Sequence, residues 1–163
     1  FLRPLKFSTD KSSCLDTVKH CLKWFVKKGI FFKYVCMIYP TAPLIKISDL
    51  KKGSKMITSN KADFCFTAAE FPSPILRSFH LNKKNFVKKT LSKKNFKKNS
   101  QNLPKYYFDA GQFYWGKSQA WLKTKMLIDK RCKIISIPDF MAIDLNDKND
   151  LEKLKLFYKS LNK

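Results

Sequence analysis

The sequence is poor in acidic residues, arginine, histidine and glycine. Its 163 residues include 12 Asp and Glu against 34 Lys and Arg, which gives a formal net charge of +22. Only three of the basic residues are arginine, and there are two histidines and four glycines. Nucleic-acid readers use arginine for bidentate contacts with bases and phosphates, so its scarcity argues against that class. With two histidines, we do not expect a histidine-based metal centre.

Paired cysteines and long apolar runs are also absent. The five cysteines are scattered without a C-x-x-C pair: Cys14, Cys21, Cys36, Cys65 and Cys132. An odd, scattered set is typical of reduced thiols in the core of a cytoplasmic protein and not of a disulfide framework or a zinc site. Lysines interrupt every apolar run before it reaches membrane-spanning length, so we expect no membrane partner.

The surplus of lysine has two interpretations. Lysines neutralise phosphates, so a lysine-rich nucleic-acid-binding domain is an alternative. A surplus of Lys, Asn, Phe and Ile is also what an A/T-rich coding sequence produces, and the even spread of the lysines favours this second interpretation. The densest segment, within residues 82–105, is predicted to be a solvated hairpin or a dimerisation arm and not an RNA-binding stripe. We therefore expect a homodimer without nucleic acid.

Hydrophobic residues make up 44% of the chain, which is enough for the core of one domain. Apolar residues at helical spacing predict helices over residues 13–28, 48–60, 118–126 and 147–161. Short apolar runs predict strands over 34–39, 63–69, 75–81, 108–115 and 133–137. Strands alternating with helices predict a three-layer α/β fold with a mostly parallel sheet. Ligands of such sheets bind beyond the carboxyl ends of the strands.

The most informative segment is 106–117, Y-Y-F-D-A-G-Q-F-Y-W-G-K, which combines an acid and a turn-permitting glycine with aromatic residues. It resembles the D-A-G-Q-F-Y-W-G segment of the pseudaminic acid cytidylyltransferases. Four further blocks resemble motifs of this family or of the wider sialate cytidylyltransferases, in the same order. They are 2–10 (L-R-P…S-D-D), 38–43 (Y-P-T-A-P), 71–77 (F-P-x-P-I-x-R) and 144–151 (D-I-D followed by D-L).

The resemblance implies a Rossmann-like nucleotidyltransferase that transfers CMP from CTP to a nonulosonic acid such as pseudaminic acid. Pyrophosphate would be released, and the product would serve bacterial surface glycans or flagellin glycosylation. Family members open with a strand and a basic loop, A-R-x-x-S-K-R-I-x-x-K-N, around the CTP phosphates. No such segment occurs in this sequence. We therefore expect residues 1–163 to form a single partial domain that lacks this first strand, helix and phosphate loop and is inactive by itself.

The resemblance also implies a magnesium site. Magnesium prefers hard oxygen ligands, and Asp144 corresponds to an aspartate of the D-I-D motif, so it is the candidate catalytic residue and metal ligand. Asn146 stands in the place of the second aspartate and offers only a neutral amide oxygen. Spacing alone favours Asp144 and Asp147 as helix-start residues, and only the resemblance favours the ligand role for Asp144.

Other residues acquire roles through the same resemblance. The nucleotide would be bound by Arg3 and Ser13. The sugar would be bound by Tyr39, Thr41, Arg77, Asp109, Gln112 and Tyr114. Arg77 could pair with the sugar carboxylate through its planar guanidinium. Without the resemblance, Arg3 is a surface charge and Arg77 belongs to a surface ion pair.

The chain also departs from the family pattern. Segment 99–104 reads N-S-Q-N-L-P where the family has R-S-Q-D-L-P, and Phe108 replaces a histidine. These substitutions remove charges, so an inactive cytidylyltransferase remnant is a further alternative.

Overall fold

The computed structural model describes residues 2–9, 11–59, 62–89 and 93–161. Four helices are present within them: α1 (Cys14–Lys27), α2 (Ile47–Ser59), α3 (Ser118–Lys123) and α4 (Lys148–Leu161). Six strands accompany them: β1 (Tyr34–Ile38), β2 (Phe64–Glu70), β3 (Phe79–Leu81), β4 (Val87–Lys89), β5 (Tyr107–Lys117) and β6 (Cys132–Ile137). Across these ranges, no helix combines the length and the apolar character needed to cross a membrane.

Helix α1 begins and ends where its sequence predicts. The Asp16 backbone N–H donates to Ser13 Oγ at 3.1 Å, so Ser13 caps the helix. Apolar side chains then recur on one buried face, at Leu15, Val18 and Leu22. The chain leaves the helix through Gly29, whose φ of +74° is accessible to glycine at little cost.

The main sheet has the order β1-β5-β2-β6. Strand β5 lies between β1 and β2 and runs antiparallel to both, whereas β2 and β6 are parallel. The expected mostly parallel sheet is therefore not confirmed, because two of its three pairings are antiparallel. Since β1, β2 and β6 share one direction, the carboxyl ends of these three strands and the amino end of β5 meet at the same edge.

Helices cover both faces of this sheet. Alternate side chains of β2 point to opposite faces, so Cys65 packs with Leu154 of α4 and Phe66 packs with α1. Residues of α2 join the Cys65 face, and Trp121 of α3 joins the Phe66 face. The fold is thus an α/β arrangement in three layers.

Two predicted elements differ in the structure. Residues 75–81 are not one strand, because Pro74 starts a 3₁₀ turn over Ile75–Arg77 in which the Ser78 N–H donates to the carbonyl of Ile75 at 2.9 Å. Only β3 is extended, and it pairs with β4 in a separate two-stranded sheet. Helix α3 is shorter than expected, because the backbone of Thr124 is extended, with ψ near 150°.

An ion-pair cluster holds the edge of the sheet where β2 and β6 begin. The Asp63 carboxylate accepts from Arg131 Nε at 2.5 Å and from Lys117 Nζ at 3.3 Å. The hydrogen bond from Arg131 is the main cause that lowers the pKa of Asp63 below its ordinary 3.8, and Lys117 lowers it further. Asp63 directly precedes β2, so these contacts link the start of β2 to Lys117 of β5 and to Arg131, the residue before β6.

We expect Asp63→Asn to reduce the free energy of unfolding at pH 7 by about 0.5–1 kcal/mol, since solvent screens a partly exposed pair. The folded pKa is lowered, so this stabilisation is present above pH 3.8 and is lost as the pH falls through the folded pKa. Urea unfolding between pH 7 and pH 3 measures the difference. Glu152→Gln, in an exposed pair with Lys155, is the control with little expected effect. An Asp63→Asn effect that does not change with pH would contradict the assignment.

Candidate active site

Side chains with the predicted roles converge at the edge where β1, β2 and β6 end. Tyr39 follows β1 directly, and its backbone N–H donates to the carbonyl of Gln112 in β5 at 2.9 Å. Asp109 lies near the amino end of β5, opposite Ala68 of β2. This edge is the position at which ligands bind to open α/β sheets.

A bulge in β5 orients Asp109. Between the pairs Ala68–Asp109 and Phe66–Tyr114, β2 advances by two residues while β5 advances by five. The extra residues include Gly111, whose φ of +61° suits glycine. The Gly111 N–H donates to Asp109 Oδ1 at 3.0 Å. The Tyr114 hydroxyl donates to Asp109 Oδ2 across the bulge. The exposed Asp109 carboxylate is therefore held from both of its oxygens.

Two tyrosines form the wall beside this carboxylate. The Tyr39 ring lies edge-on to Tyr114 with the ring centroids 5.9 Å apart, and Tyr114 stacks on Phe66 at 5.6 Å. Burial raises the pKa of Tyr114, and its hydrogen bond to Asp109 raises it further. The Tyr114 phenol is therefore neutral at neutral pH, as a donor to a carboxylate must be.

Tyr39 lies close to both carboxylates of the site, Asp109 and Asp144. Burial is the main cause that raises the pKa of Tyr39, and a hydrogen bond with the Cys14 thiol raises it too. The negative charges of Asp109 and Asp144 act in the same direction. Both carboxylates therefore act on one phenol, although they are 35 positions apart in the sequence. Tyr39 stays protonated between them.

Asp144 reaches the site from the segment between β6 and α4. Its Oδ1 lies 3.9 Å from the point where a Cβ on Gly111 would stand, so it faces the bulge. Asn146 Nδ2 donates to Asp144 Oδ2 at 3.1 Å, and the Asn146 N–H donates to Asp150 Oδ2 at 3.3 Å. The Asp150 N–H in turn donates to Asp147 Oδ1 at 2.9 Å, at the start of α4. Asp147 is thus a helix-start residue, whereas the Asp144 carboxylate lies outside this capping network.

The donor set fits magnesium in part. Asp144 offers an exposed carboxylate, the oxygen ligand that magnesium prefers, and magnesium commonly takes only one or two protein carboxylates. Asn146 directs its amide nitrogen toward Asp144, so its amide must turn before its oxygen can bind a cation beside that carboxylate. Within the described ranges, no group of three or more His, Cys, Asp or Glu side chains could hold a metal ion by itself. Water or phosphate oxygens would supply the other ligands of a magnesium ion bound at Asp144.

Two further residues predicted to bind the sugar, Gln112 and Arg77, make hydrogen bonds to other parts of the protein. Gln112 is 3% exposed, and its Nε2 donates to the carbonyl of Met141 at 2.9 Å, which anchors the Asp139–Met141 turn to β5. Arg77 donates to Ser100 Oγ at 3.1 Å and to the carbonyl of Lys98. Its guanidinium thus binds the lysine-rich segment, and a direct role for either residue toward a sugar stays a prediction.

Arg3 and Ser13, which were predicted to bind the nucleotide, have local partners, and so does the segment around Thr41. Arg3 Nε donates to Ser8 Oγ at 3.1 Å in an exposed segment, and Ser13 caps α1. Thr41 is exposed in the turn after Tyr39, which the Ala42 N–H closes by donating to the Tyr39 carbonyl at 3.3 Å. Their proposed contacts with ligands stay predictions.

Comparison with known proteins identifies the family. Over 159 residues the chain is 34% identical to pseudaminic acid cytidylyltransferases from two strains of Campylobacter jejuni. The match covers 98% of this chain and 68% of each relative. The chain belongs to the pseudaminic acid cytidylyltransferase family. The resemblance inferred from the five sequence blocks is thereby confirmed.

A more distant cytidylyltransferase relative has a second activity in its name. It is the pseudaminic acid cytidylyltransferase and UDP-2,4-diacetamido-2,4,6-trideoxy-beta-L-altropyranose hydrolase of Helicobacter pylori, 26% identical over 145 residues. The match covers 88% of this chain and 27% of that protein. No protein-family model matches the chain.

Among the described residues of the candidate site, Cys14 is a member that the sequence did not indicate. The cysteines were expected to be core thiols, yet Cys14 is the first residue of α1 and lies close enough to Tyr39 to raise the pKa of that phenol. Its position directly after the helix cap Ser13 could have indicated that Cys14 lies near the site, because α1 begins at the same edge of the sheet where β1 ends. A thiol contact with a tyrosine 25 positions away could not be read from spacing.

Proposed function

We propose that the chain carries the catalytic edge of an enzyme that transfers CMP from CTP to a nonulosonic acid such as pseudaminic acid. Pyrophosphate would be released, and the product would serve bacterial surface glycans or flagellin. The observation that carries the proposal is the convergence of Asp144 with Tyr39, Asp109 and Tyr114 at the ligand-binding edge, in a chain of the cytidylyltransferase family.

The proposed reaction exchanges one P–O bond for another and releases a proton. The anomeric hydroxyl oxygen of the sugar attacks the α-phosphorus of CTP, the bond from that phosphorus to the oxygen of the β-phosphate breaks, and the hydroxyl proton passes to solvent or to the departing pyrophosphate. Such reactions depend on alignment and on neutralisation of phosphate charge. Magnesium, when bound, would supply that neutralisation, and Asp144 would hold it. Asn146 would contribute its amide oxygen after the amide turns.

The other side chains of the cluster would position the sugar. Asp109 accepts hydrogen bonds, and its orientation is fixed by Gly111 and Tyr114. A fixed carboxylate can select hydroxyl groups of a polyhydroxylated substrate. Because Tyr39 and Tyr114 have raised pKa values, neither adds a negative charge where triphosphate must approach. The two carboxylates are thus the anionic groups identified in this cluster.

The activity test compares two proteins. One is the 163-residue chain, and the other, termed the extended chain, has the amino-terminal strand and basic loop of a pseudaminic acid cytidylyltransferase joined before Phe1. We expect negligible pyrophosphate release from CTP and pseudaminic acid by the first, because the loop assigned to the phosphates is absent from its sequence. The extended chain should release pyrophosphate. Robust turnover by the first protein would show that the nucleotide site is misplaced, and an inactive but folded second protein would favour a remnant.

The lysine-rich arm, residues 82–105 with strand β3 before it, is the proposed dimer contact. Leu81 pairs with Val87 in the β3–β4 hairpin, and Phe79 shares their face, yet all three are exposed. A hairpin of two strands is marginally stable in water, so an apolar partner surface would stabilise it. The acid-free sequence from 71 to 108, with its exposed lysines, favours nucleic acid as the alternative partner.

Sedimentation at 0.15 M salt separates these two interpretations of the arm. We expect a dimer that dissociates when Leu81 and Val87 are both replaced by Ser, and that persists when Lys88, on the other face, is replaced by Ser. Added duplex DNA or single-stranded RNA should bind weakly, without sequence preference, and should be released as salt rises. A monomer that forms a tight, sequence-selective complex at this salt would favour the nucleic-acid-binding domain.

A further inference from the structure

A cavity of about 700 Å³ opens at the edge of the main sheet opposite the candidate active site. It lies where β1, β2 and β6 begin and β5 passes into α3. None of the residues of the candidate site lines it, so its contents are independent of the proposed reaction. A volume of this size is typical of sites for small molecules. We call it the rear cavity.

The charged side chains of the rear cavity favour an anion. It is lined by four cationic residues, Lys33, Lys117, Lys123 and Arg131, and by two carboxylates, Asp63 and Asp129. The Asp63 carboxylate is already engaged by ion pairs with two of these cations. The lining therefore retains an excess of positive charge beside the opening.

The walls of the rear cavity are apolar and aromatic. Phe32, Tyr34 and Met126 line it, and the side chains of Phe32 and Met126 are exposed, whereas Phe64 also lines it but is only 4% exposed. Phe64 is held in place by Trp121, with the rings edge-on and their centroids 5.1 Å apart. A rigid aromatic wall suits a flat ligand, because such surfaces stack without losing side-chain freedom.

One polar atom in this region has no partner among the described residues. Ser118 lines the cavity, and its Oγ is buried without a hydrogen bond, although its backbone N–H donates to the carbonyl of Lys33 at 3.1 Å. A buried hydroxyl without a partner is unfavourable, so a polar group seated nearby would be stabilising. Phosphate and carboxylate oxygens accept hydrogen bonds from hydroxyl donors.

We propose that the rear cavity binds a small organic anion that joins a phosphate or carboxylate group to a flat apolar body. The anionic group pairs with Lys33 and Lys123, the two lysines of the lining that make no ion pair with Asp63, close to Ser118. The flat body lies against Phe32 and Tyr34. Inorganic phosphate lacks the body, and a neutral aromatic lacks the charge, so the proposal requires both parts in one molecule.

The test uses 1-naphthyl phosphate as the probe and the 163-residue chain labelled with ¹⁵N. We expect binding with a Kd of about 0.1–1 mM, the scale for a ligand of this size. Amide shift changes should be concentrated at lining residues such as Ser118, Gln119 and Lys123. Inorganic phosphate alone and 1-naphthol alone should each bind at least about tenfold more weakly, since each lacks one half of the recognition. Equal binding by either fragment, or changes centred on Tyr39 and Asp144, would overturn the proposal.

Matched variants locate the two halves of the site. Lys123→Ala should weaken binding of the probe about two- to fivefold, on the scale of one exposed ion pair. Lys125→Ala, a lysine of the same segment that does not line the cavity, should leave binding unchanged. Gln119→Trp fills the opening from an exposed position and should abolish binding, while circular dichroism verifies that the fold is kept. Unchanged binding to a folded Gln119→Trp protein would exclude the rear cavity.

Discussion

Replacement of Asp144 by Asn in the extended chain is expected to lower kcat for pyrophosphate release by about 10²- to 10³-fold, the scale lost when one electrostatic group is removed from an active site. The substitution keeps the size of the side chain and removes its charge. Asp144 faces the bulge at Gly111 and lies outside the hydrogen bonds that begin α4, so the melting temperature should not change. Steady-state kinetics and thermal unfolding together measure the effect.

Asp147→Asn is the matched control for this prediction. Asp147 lies three positions along the same segment and caps α4 through the Asp150 N–H, a hydrogen bond that asparagine can also accept. It should therefore have near-normal turnover. Asn146→Asp should lower the magnesium concentration needed for half-maximal rate, because it restores a second carboxylate. Near-normal turnover of the Asp144→Asn enzyme would show that Asp144 does not contribute to catalysis.

Trp121→Ala is expected to cost about 3–5 kcal/mol of unfolding free energy, the range for removal of a buried large aromatic side chain. Trp121 is fully buried, lies edge-on to Phe64 and donates from Nε1 to the carbonyl of Val35 at 3.4 Å. Its indole also occupies the space that a side chain at Gly116 would need, since a Cβ there would stand 2.5 Å from Nε1. One residue thus packs α3 against three strands of the sheet.

Urea unfolding of both proteins measures this loss. Leu156→Ala, on the exposed face of α4 at 68% exposure, is the control and should change stability by less than about 0.5 kcal/mol. Because a domain has only about 5–15 kcal/mol of net stability, the tryptophan variant should lose a large fraction of it and unfold at a lower temperature. A loss below about 1 kcal/mol would mean that α3 packs loosely on the sheet.

The sequence predicts the helices well and the order of strands poorly. Apolar spacing and the Ser13 cap determine α1 locally, and the bounds of α1 agree with expectation to within a residue. The orientation of β5 depends on contacts between residues that are 37 to 83 positions apart, from Glu70 with Tyr107 to Tyr34 with Lys117, about which local periodicity carries no information. For this reason a mostly parallel sheet was expected.

The candidate site was likewise predicted only in part from the sequence. Resemblance pointed to Asp109, Tyr114 and Asp144, which come close together, but it also pointed to Arg77 and Gln112, which make structural hydrogen bonds elsewhere. Both side chains carry hydrogen-bond donors that could bind a sugar. In the fold, these donors instead bond to the backbone carbonyls of Lys98 and Met141. The position of Cys14 beside Tyr39 likewise depends on where α1 begins relative to β1.

The central position of β5 has a consequence for the order of assembly during synthesis. Within the described residues, β1 pairs only with β5, and β2 lies on the other side of β5. Once β1 and β2 have been synthesised they do not pair with each other. Their common partner, β5, begins only at Tyr107. Nascent chains shorter than this hold apolar strands without partners, which makes them targets for chaperones and for aggregation. Assembly of the sheet is therefore expected to begin late, with the segment containing Asp109 and Tyr114, and to be completed when β6 follows.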